Sequence, residues 1–300
     1  MEWVVLIIGL AAMILGSDQL VRGCVRFARR VQLSEFITSI LIIGIGTSLP
    51  ELVISILSSF RGIGGLALSN TIGSNIINVL GIMGLGFVLH AVPTDARARR
   101  LDIAFVMIAG VALVVMMMTG ILGRLDAAIL FSMFLIYSVL ATRRPARKPE
   151  AHKIHALKIA IPIAIGGLAL YLGSKYFMDA LTVITRSLHM GDRLAGILIT
   201  APGTSVPELL VTIVAAIHRR PGIALGNILG SNLANILLVV AAAAVIRPIT
   251  VSPELMRLDI WVMIASTTML CAQLCVAKKL GRKTGILYLL LLAVYFYWLI

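Results

Sequence analysis

Two nine-residue stretches of this chain are near copies of each other. Residues 46–54 read GTSLPELVI and residues 203–211 read GTSVPELLV. A second pair keeps the same spacing, GSNIIN at 73–78 and GSNLAN at 230–235. The motifs set Gly, Ser, Thr, Asn and, in each half, one Glu inside long apolar runs. A carboxylate in hydrocarbon is costly, and here it recurs at matched places. That implies a duplicated intramembrane ion site, built where two equivalent halves meet.

The rest of the chain agrees with a membrane setting. It is 60% hydrophobic and 13% charged, with a mean hydropathy of +1.04, against about 25% charged in a soluble domain. The apolar runs are about 20 residues or longer, as helices crossing a core of about 30 Å require. The alternating pattern of a membrane barrel is absent. The net charge of +13 does not indicate nucleic acid, because the basic residues lie between apolar runs rather than on one soluble face. Cys24, Cys271 and Cys275 fit no metal pattern and read as apolar packing residues. The N-terminus has Glu2 and no basic leader or cleavage site, so it reads as a first spanning helix.

Apolar segments at 3–24, 35–59, 64–90, 101–121, 124–141, 157–181, 193–217, 222–246, 257–277 and 284–300 give ten expected spans, five per half. The fold class expected is an all-α integral membrane protein. Residues 1–141 form the first repeat, 142–156 a polar linker, and 157–300 the second repeat. Loops after the odd-numbered spans carry most of the Lys and Arg, including Arg22, Arg26, Arg29, Arg30, Arg143, Arg144, Arg147, Lys148 and Lys153. This puts the linker in the cytoplasm and both termini outside, in a multi-pass cell (plasma or inner) membrane protein. An odd number of spans per half makes the repeats inverted, a transporter architecture. LGSDQLV at 15–21 also matches LGSKYFM at 172–178, and LSEFITSILI at 33–42 aligns with MGDRLAGILI at 190–199. The likeness thins in the last two spans of each half, either erased there or not needed by any site.

Pro50 and Pro207 lack the N–H that would bond the carbonyls of Gly46 and Gly203. Glycine there lets the backbone leave helical geometry. Spans two and seven are therefore expected to break, exposing carbonyls near Gly44, Thr47, Ala201 and Thr204 toward a cavity. Glu51 and Glu208 follow each break directly. Na⁺ and Ca²⁺ are hard cations that want oxygen ligands, and no His or Cys lies in the motifs to favour a softer metal. Ser74 and Asn78 stand four apart on one helix face, and Ser231 and Asn235 repeat the arrangement.

The plainer alternatives are small-residue packing for Gly–Ser–Asn and a structural ion pair for each Glu. No Lys or Arg lies in the motif cores, so an ion-pair partner would have to come from another span. Lys175 is the nearest candidate, with Asp18 at its aligned position, and neither is assigned to the ion site. Two carboxylates about 5 Å apart repel by roughly 3 kcal/mol at an effective dielectric of 20. One Ca²⁺ or two Na⁺ would neutralise them. Exchange of three Na⁺ for one Ca²⁺ would move a net charge and be electrogenic.

These four motif copies resemble the α-repeats of the Ca²⁺/cation antiporter superfamily, and within it the prokaryotic sodium/calcium exchangers. The resemblance runs over essentially the whole chain. It implies exchange of Na⁺ for Ca²⁺ by alternating access, with spans one and six sliding past the remaining bundle. Glu51 and Glu208 would bind Ca²⁺ and Na⁺. Thr47, Thr204, Gly44 and Ala201 would offer backbone oxygens, Ser48, Ser205, Ser74 and Ser231 would complete flanking Na⁺ sites, and Asn78 and Asn235 would close the middle. Some members have Asp where Asn235 stands. An amide offers an oxygen but does not ionise, which argues against K⁺ cotransport. A proton-coupled Ca²⁺ antiporter using the same glutamates is the alternative. An intramembrane enzyme would need a nucleophile with a base, and Ser48 and Ser205 have none in their motifs; a channel would need no counter-ion. No cofactor and no obligate protein partner is expected, only the transported ions and the bilayer.

Overall fold

The computed structural model describes residues 2–31, 33–94, 96–143, 155–185 and 196–299. Most of the expected linker and the first six residues of the 190–199 match lie outside them. The described chain is helical throughout, except for four two-residue strands. Its helices are α1 (Glu2–Val31), α2 (Glu35–Thr47), α3 (Leu49–Phe60), α4 (Gly64–Leu89), α5 (Ala96–Met117), α6 (Arg124–Thr142) and α7 (Ala156–Thr185). There follow α8 (196–204), α9 (Val206–Ile217), α10 (Pro221–Ile246), α11 (Leu255–Val276) and α12 (Arg282–Leu299). Among the described residues, eight helices are long and apolar enough to cross a membrane, or nine if α2 and α3 count as one bent span. The seventh expected span is present only as the short apolar helix α9 and the segment before it.

The broken spans and α4 and α10 make the centre. Helices α4 and α10 are the most buried long helices, while α6, α7 and α12 show much of their apolar surface to the outside, as lipid-facing helices do. The two halves meet at backbone distance. A Cβ on Gly44 would fall 2.8 Å from the Gly230 backbone, and one on Gly230 would fall 2.6 Å from the Ile40 carbonyl. Glycine is what lets α2 seat against α10 so closely. Helix α1 lies along α7 in the same way, with Gly9 against Gly173 and Gly16 against Gly166. These glycines lie in the first and sixth of the spans expected from the sequence.

The strands tie the halves at their ends. β1 (Val92–Pro93) pairs antiparallel with β4 (Lys279–Leu280), and β2 (Ile121–Leu122) with β3 (Ile249–Thr250). β1 precedes α5 and β2 follows it. The 22 residues of α5 span about 33 Å, so the two sheets sit at opposite ends of the bundle. Thr94 adds a side-chain hydrogen bond to the Ala277 carbonyl beside the first.

The outer helices carry an equivalence that the motifs do not reveal. Asp102 on α5 accepts a hydrogen bond from Tyr137 on α6 at 2.7 Å, and Asp259 on α11 accepts one from Tyr295 on α12 at 2.9 Å. Both aspartates are fully buried. Cys24 and Cys271 are buried as expected, whereas Cys275 is exposed.

Candidate ion-binding site

Both breaks are single residues. Ser48 (φ −81°, ψ 8°) separates α2 from α3, and Ser205 (φ −81°, ψ 2°) separates α8 from α9. These angles lie in the bridge region between helix and strand. The first pair of helices is bent by 43°. The break falls two residues beyond the expected glycine, since Gly46 stays helical and a Cβ there would touch nothing. The prolines instead sit in the first turn of α3 and α9, where a missing N–H costs least.

This relocation changes which carbonyls are released. Ser48 N–H still bonds the Gly44 carbonyl at 3.2 Å, and Ser205 N–H bonds that of Ala201 at 3.0 Å. Among the described residues no backbone N–H outside a single helix closes on the carbonyls of Thr47 or Thr204, the residues just before each break. Gly44 and Ala201 are therefore engaged within the protein, whereas Thr47 and Thr204 present carbonyl oxygens.

Glu51 and Glu208 are both 0% exposed. They lie in the first turns of α3 and α9, the end of a helix that favours negative charge. Glu208 is close enough for its charge to act on Glu51. Ser48 Oγ donates to Glu208 Oε1 across the halves at 3.3 Å. The Thr204 hydroxyl lies beside Glu51 but beyond hydrogen-bond geometry. Both oxygens of Glu51 and Oε2 of Glu208 have no hydrogen-bond partner within the protein. Among the described residues no Lys or Arg is buried, which removes the ion-pair reading of these glutamates.

The neutral oxygens surround this pair. Thr47 Oγ1 lies 3.2 Å from Ser231 Oγ, and Thr204 Oγ1 lies 3.5 Å from Ser74 Oγ. Ser231 Oγ donates to the Gly44 carbonyl at 3.2 Å. Asn78 Nδ2 donates to Asn232 Oδ1 at 3.0 Å, and Asn235 Nδ2 to Asn75 Oδ1 at 3.1 Å. The Oδ1 atoms of Asn78 and Asn235, and Ser205 Oγ, have no partner within the protein. All twelve residues named from sequence are buried; ten lie on the broken helices or contact their threonines, and Asn78 and Asn235 bond asparagines of the facing helix. Asn78 and Asn235 each lie in a wide π-helical turn, Ile77–Met83 and Asn235–Val240, a distortion frequent at functional sites.

Four further asparagines join the site without having been expected there. Asn75 and Asn232 hold Asn235 and Asn78 as described. Asn70 Oδ1 faces Thr204 Oγ1 and Asn227 Oδ1 faces Thr47 Oγ1, each at 3.3 Å. Their signal is present in the chain, since LSNTIGSN at 68–75 and LGNILGSN at 225–232 keep the motif spacing. Asp18 and Lys175 lie elsewhere. Asp18 bonds Arg22 at 2.8 Å and His218 at 2.9 Å. Lys175 is exposed beside a cavity of about 300 Å³ between α3 and α7, lined also by Pro50, Val53 and Asp179.

The chemistry of the centre is thus two buried carboxylates among neutral oxygens, with no trio of His, Cys, Asp and Glu among the described residues. A sequence model described as "Sodium/calcium exchanger protein" matches residues 1–143 and 158–300. The chain belongs to the sodium/calcium exchanger family. It is 26% identical to the sodium/calcium exchanger MaX1 of Methanosarcina acetivorans, over 99% of each chain. It is 29% identical to an uncharacterized membrane protein of Methanocaldococcus jannaschii, over 95% of this chain and 93% of that one. The fold matches a solved structure of the sodium-calcium exchanger NCX_Mj soaked with Na⁺ and Sr²⁺, with a TM-score of 0.87 and 27% identity, covering 99% of this chain and 97% of that one. The exchanger is therefore a multi-pass membrane transporter, not an enzyme.

Proposed function

We propose that this exchanger moves Ca²⁺ against Na⁺ by alternating access through the centre between Glu51 and Glu208, and that the cycle is electrogenic. The observation that carries this reading is the pair of fully buried carboxylates, with three oxygens lacking protein partners and no buried Lys or Arg among the described residues to answer them. Such a pair demands a cation or a proton. The surrounding hydroxyls and carbonyls favour a dehydrated metal ion, because a proton needs no cage of neutral oxygens.

In this reading Glu51 and Glu208 neutralise Ca²⁺ or two Na⁺. The carbonyls of Thr47 and Thr204 join them, with the Oδ1 atoms of Asn78 and Asn235 at the middle. Ser48, Ser205, Ser74 and Ser231 complete the Na⁺ positions. Gly44 and Ala201 enter by exchanging a hydroxyl contact for the ion. The two family-matched blocks support a division into repeats 1–141 and 157–300 with a linker at 142–156. The matched breaks and the paired strands at opposite ends support ten spans in two inverted five-helix repeats. The basic loops orient the linker toward the cytoplasm and the termini outward, in a cell membrane.

The test is Ca²⁺ uptake by proteoliposomes under an imposed Na⁺ or pH gradient, with and without a clamped voltage. Uptake driven by the outward Na⁺ gradient and sensitive to voltage is expected. Uptake driven by the pH gradient alone would overturn Na⁺ coupling, and indifference to voltage would overturn electrogenicity.

A further inference from the structure

Asn227 stands on α10 one turn before Ser231 and is fully buried. Its three polar contacts reach both halves of the molecule. Oδ1 lies 3.3 Å from Thr47 Oγ1, beside the first break. Nδ2 donates to the Glu208 backbone carbonyl at 3.1 Å and to Thr212 Oγ1 at 3.2 Å, both on α9. One amide therefore ties the threonine of one repeat to the carboxylate-bearing helix of the other. Asn70 occupies the matched place on α4, with Oδ1 3.3 Å from Thr204 Oγ1. Its Nδ2 is buried without a protein partner, as is Oγ of Ser55, the counterpart of Thr212.

A threonine hydroxyl has one proton and two lone pairs. Left free, the proton can turn toward the centre, where it repels a cation. Thr47 Oγ1 has three acceptors in reach for that proton, Ser231 Oγ at 3.2 Å and the Gly44 carbonyl and Asn227 Oδ1, both at 3.3 Å. The Gly44 carbonyl already receives Ser48 N–H and Ser231 Oγ, so the amide oxygen is the less crowded acceptor. With the Ser231 proton on the Gly44 carbonyl, a Thr47 proton committed to the amide oxygen leaves the lone pairs of Thr47 for an ion. The same amide's NH₂ fixes the backbone of Glu208, so hydroxyl polarity and carboxylate placement are set by one side chain.

We propose that Asn70 and Asn227 are positioning residues that hold the threonine hydroxyls beside the two breaks with their lone pairs toward the ions, without themselves touching an ion. The proposal rests on the reading that the ions bind between Glu51 and Glu208. It predicts that Asn227 acts through Thr47, and Asn70 through Thr204.

The experiment compares wild type, Asn227→Ala, Thr47→Val and the double variant in two assays, ⁴⁵Ca²⁺ binding to purified protein and Na⁺-driven Ca²⁺ uptake by proteoliposomes. Each single change is expected to raise the half-saturating Ca²⁺ concentration roughly tenfold, the worth of one buried hydrogen bond, with the maximal rate within about twofold. The double variant is expected to match the worse single variant. Effects that multiply in the double variant, or a loss confined to maximal rate with unchanged half-saturation, would overturn the proposal. Asn70→Ala with Thr204→Val supplies the same cycle if Asn227→Ala does not fold. Wild type that neither binds nor exchanges Ca²⁺ would instead refute the function proposed above.

Discussion

Ser48 Oγ and Glu208 Oε1 lie 3.3 Å apart across 160 positions of sequence, while the matched pair, Ser205 and Glu51, makes no such bond and leaves Ser205 Oγ and both Glu51 oxygens without a partner. The repeats are equivalent in sequence yet unequal in bonding. Glu208 is held by the opposite break and Glu51 is not. The asymmetry extends outward to Asn227, bonded by both ends of its amide, and Asn70, bonded by one.

Glu51→Gln should abolish Ca²⁺ uptake, since a single carboxylate cannot neutralise a divalent ion in a buried site. Glu208→Gln should do the same, because the halves contribute one charge each. The measurement is Na⁺-driven Ca²⁺ uptake at matched protein density. Uptake at the wild-type rate in either variant would refute the assignment of that glutamate.

Ser48→Ala and Ser205→Ala should shift Na⁺ dependence more than Ca²⁺ dependence. Each hydroxyl stands at the bend of a broken helix, where the resemblance assigns flanking Na⁺ positions. Half-saturation for Na⁺ should rise roughly fivefold to tenfold, the worth of one lost polar contact. Equal shifts for both ions would mean that the hydroxyls only support Glu208 and its counterpart.

The repeated motifs make the centre legible from the residues alone. A Glu directly after Pro, twice, in apolar surroundings identifies both the carboxylates and the breaks. The exact break is less legible, because Gly46 and Gly203 draw attention as flexible residues while the irregular angles fall on Ser48 and Ser205. Proline at the first turn of a new helix needs no glycine four residues earlier. The wide turns around Asn78 and Asn235 are a backbone property, and no residue type announces them. Asn70 and Asn227 are visible only when the repeats are aligned, since a lone Asn between apolar residues carries little signal by itself. The likeness that thins in the outer helices survives in Asp102 and Asp259, which keep the 157-residue spacing.

Asn235→Asp should change ion preference more than folding. Asn235 Nδ2 donates to Asn75 Oδ1, while its Oδ1 has no protein partner. Aspartate keeps an oxygen there, loses the donor and adds a third negative charge. The ratio of Na⁺ to Ca²⁺ half-saturation is expected to move about tenfold, with a changed pH profile of uptake; a tenfold change corresponds to about 1.4 kcal/mol. Profiles unchanged across ions and pH would put Asn235 outside the site.

Arg219→Gly should stabilise the exchanger. The turn between α3 and α4 uses Gly62 at φ +78°, and the matched turn between α9 and α10 uses Arg219 at φ 55°. A side chain in the left-handed region costs about 1–2 kcal/mol, partly offset by the extra freedom glycine gives the unfolded chain. A rise of a few degrees in the thermal midpoint in detergent is expected, with uptake unchanged. A lower midpoint would show that Arg219 makes contacts worth more than the strain.

Tyr137→Phe and Tyr295→Phe should destabilise the protein without altering ion dependence. Each hydroxyl donates to a fully buried aspartate, Asp102 or Asp259, on a neighbouring outer helix. A side-chain hydrogen bond contributes about 0.5–1.5 kcal/mol, and removing the donor leaves a buried acceptor less well satisfied. The helices involved, α5, α6, α11 and α12, carry none of the twelve site residues. The pairs therefore hold the outer helices to each other, away from the proposed ion centre on the broken helices. The thermal midpoint in detergent should fall by several degrees in each variant, and half-saturation for Na⁺ and Ca²⁺ should stay within about twofold of wild type. A large shift in half-saturation at an unchanged midpoint would reverse this assignment and make the aspartates participants in transport, because intramembrane carboxylates that do not stabilise the fold are retained for the ions they meet.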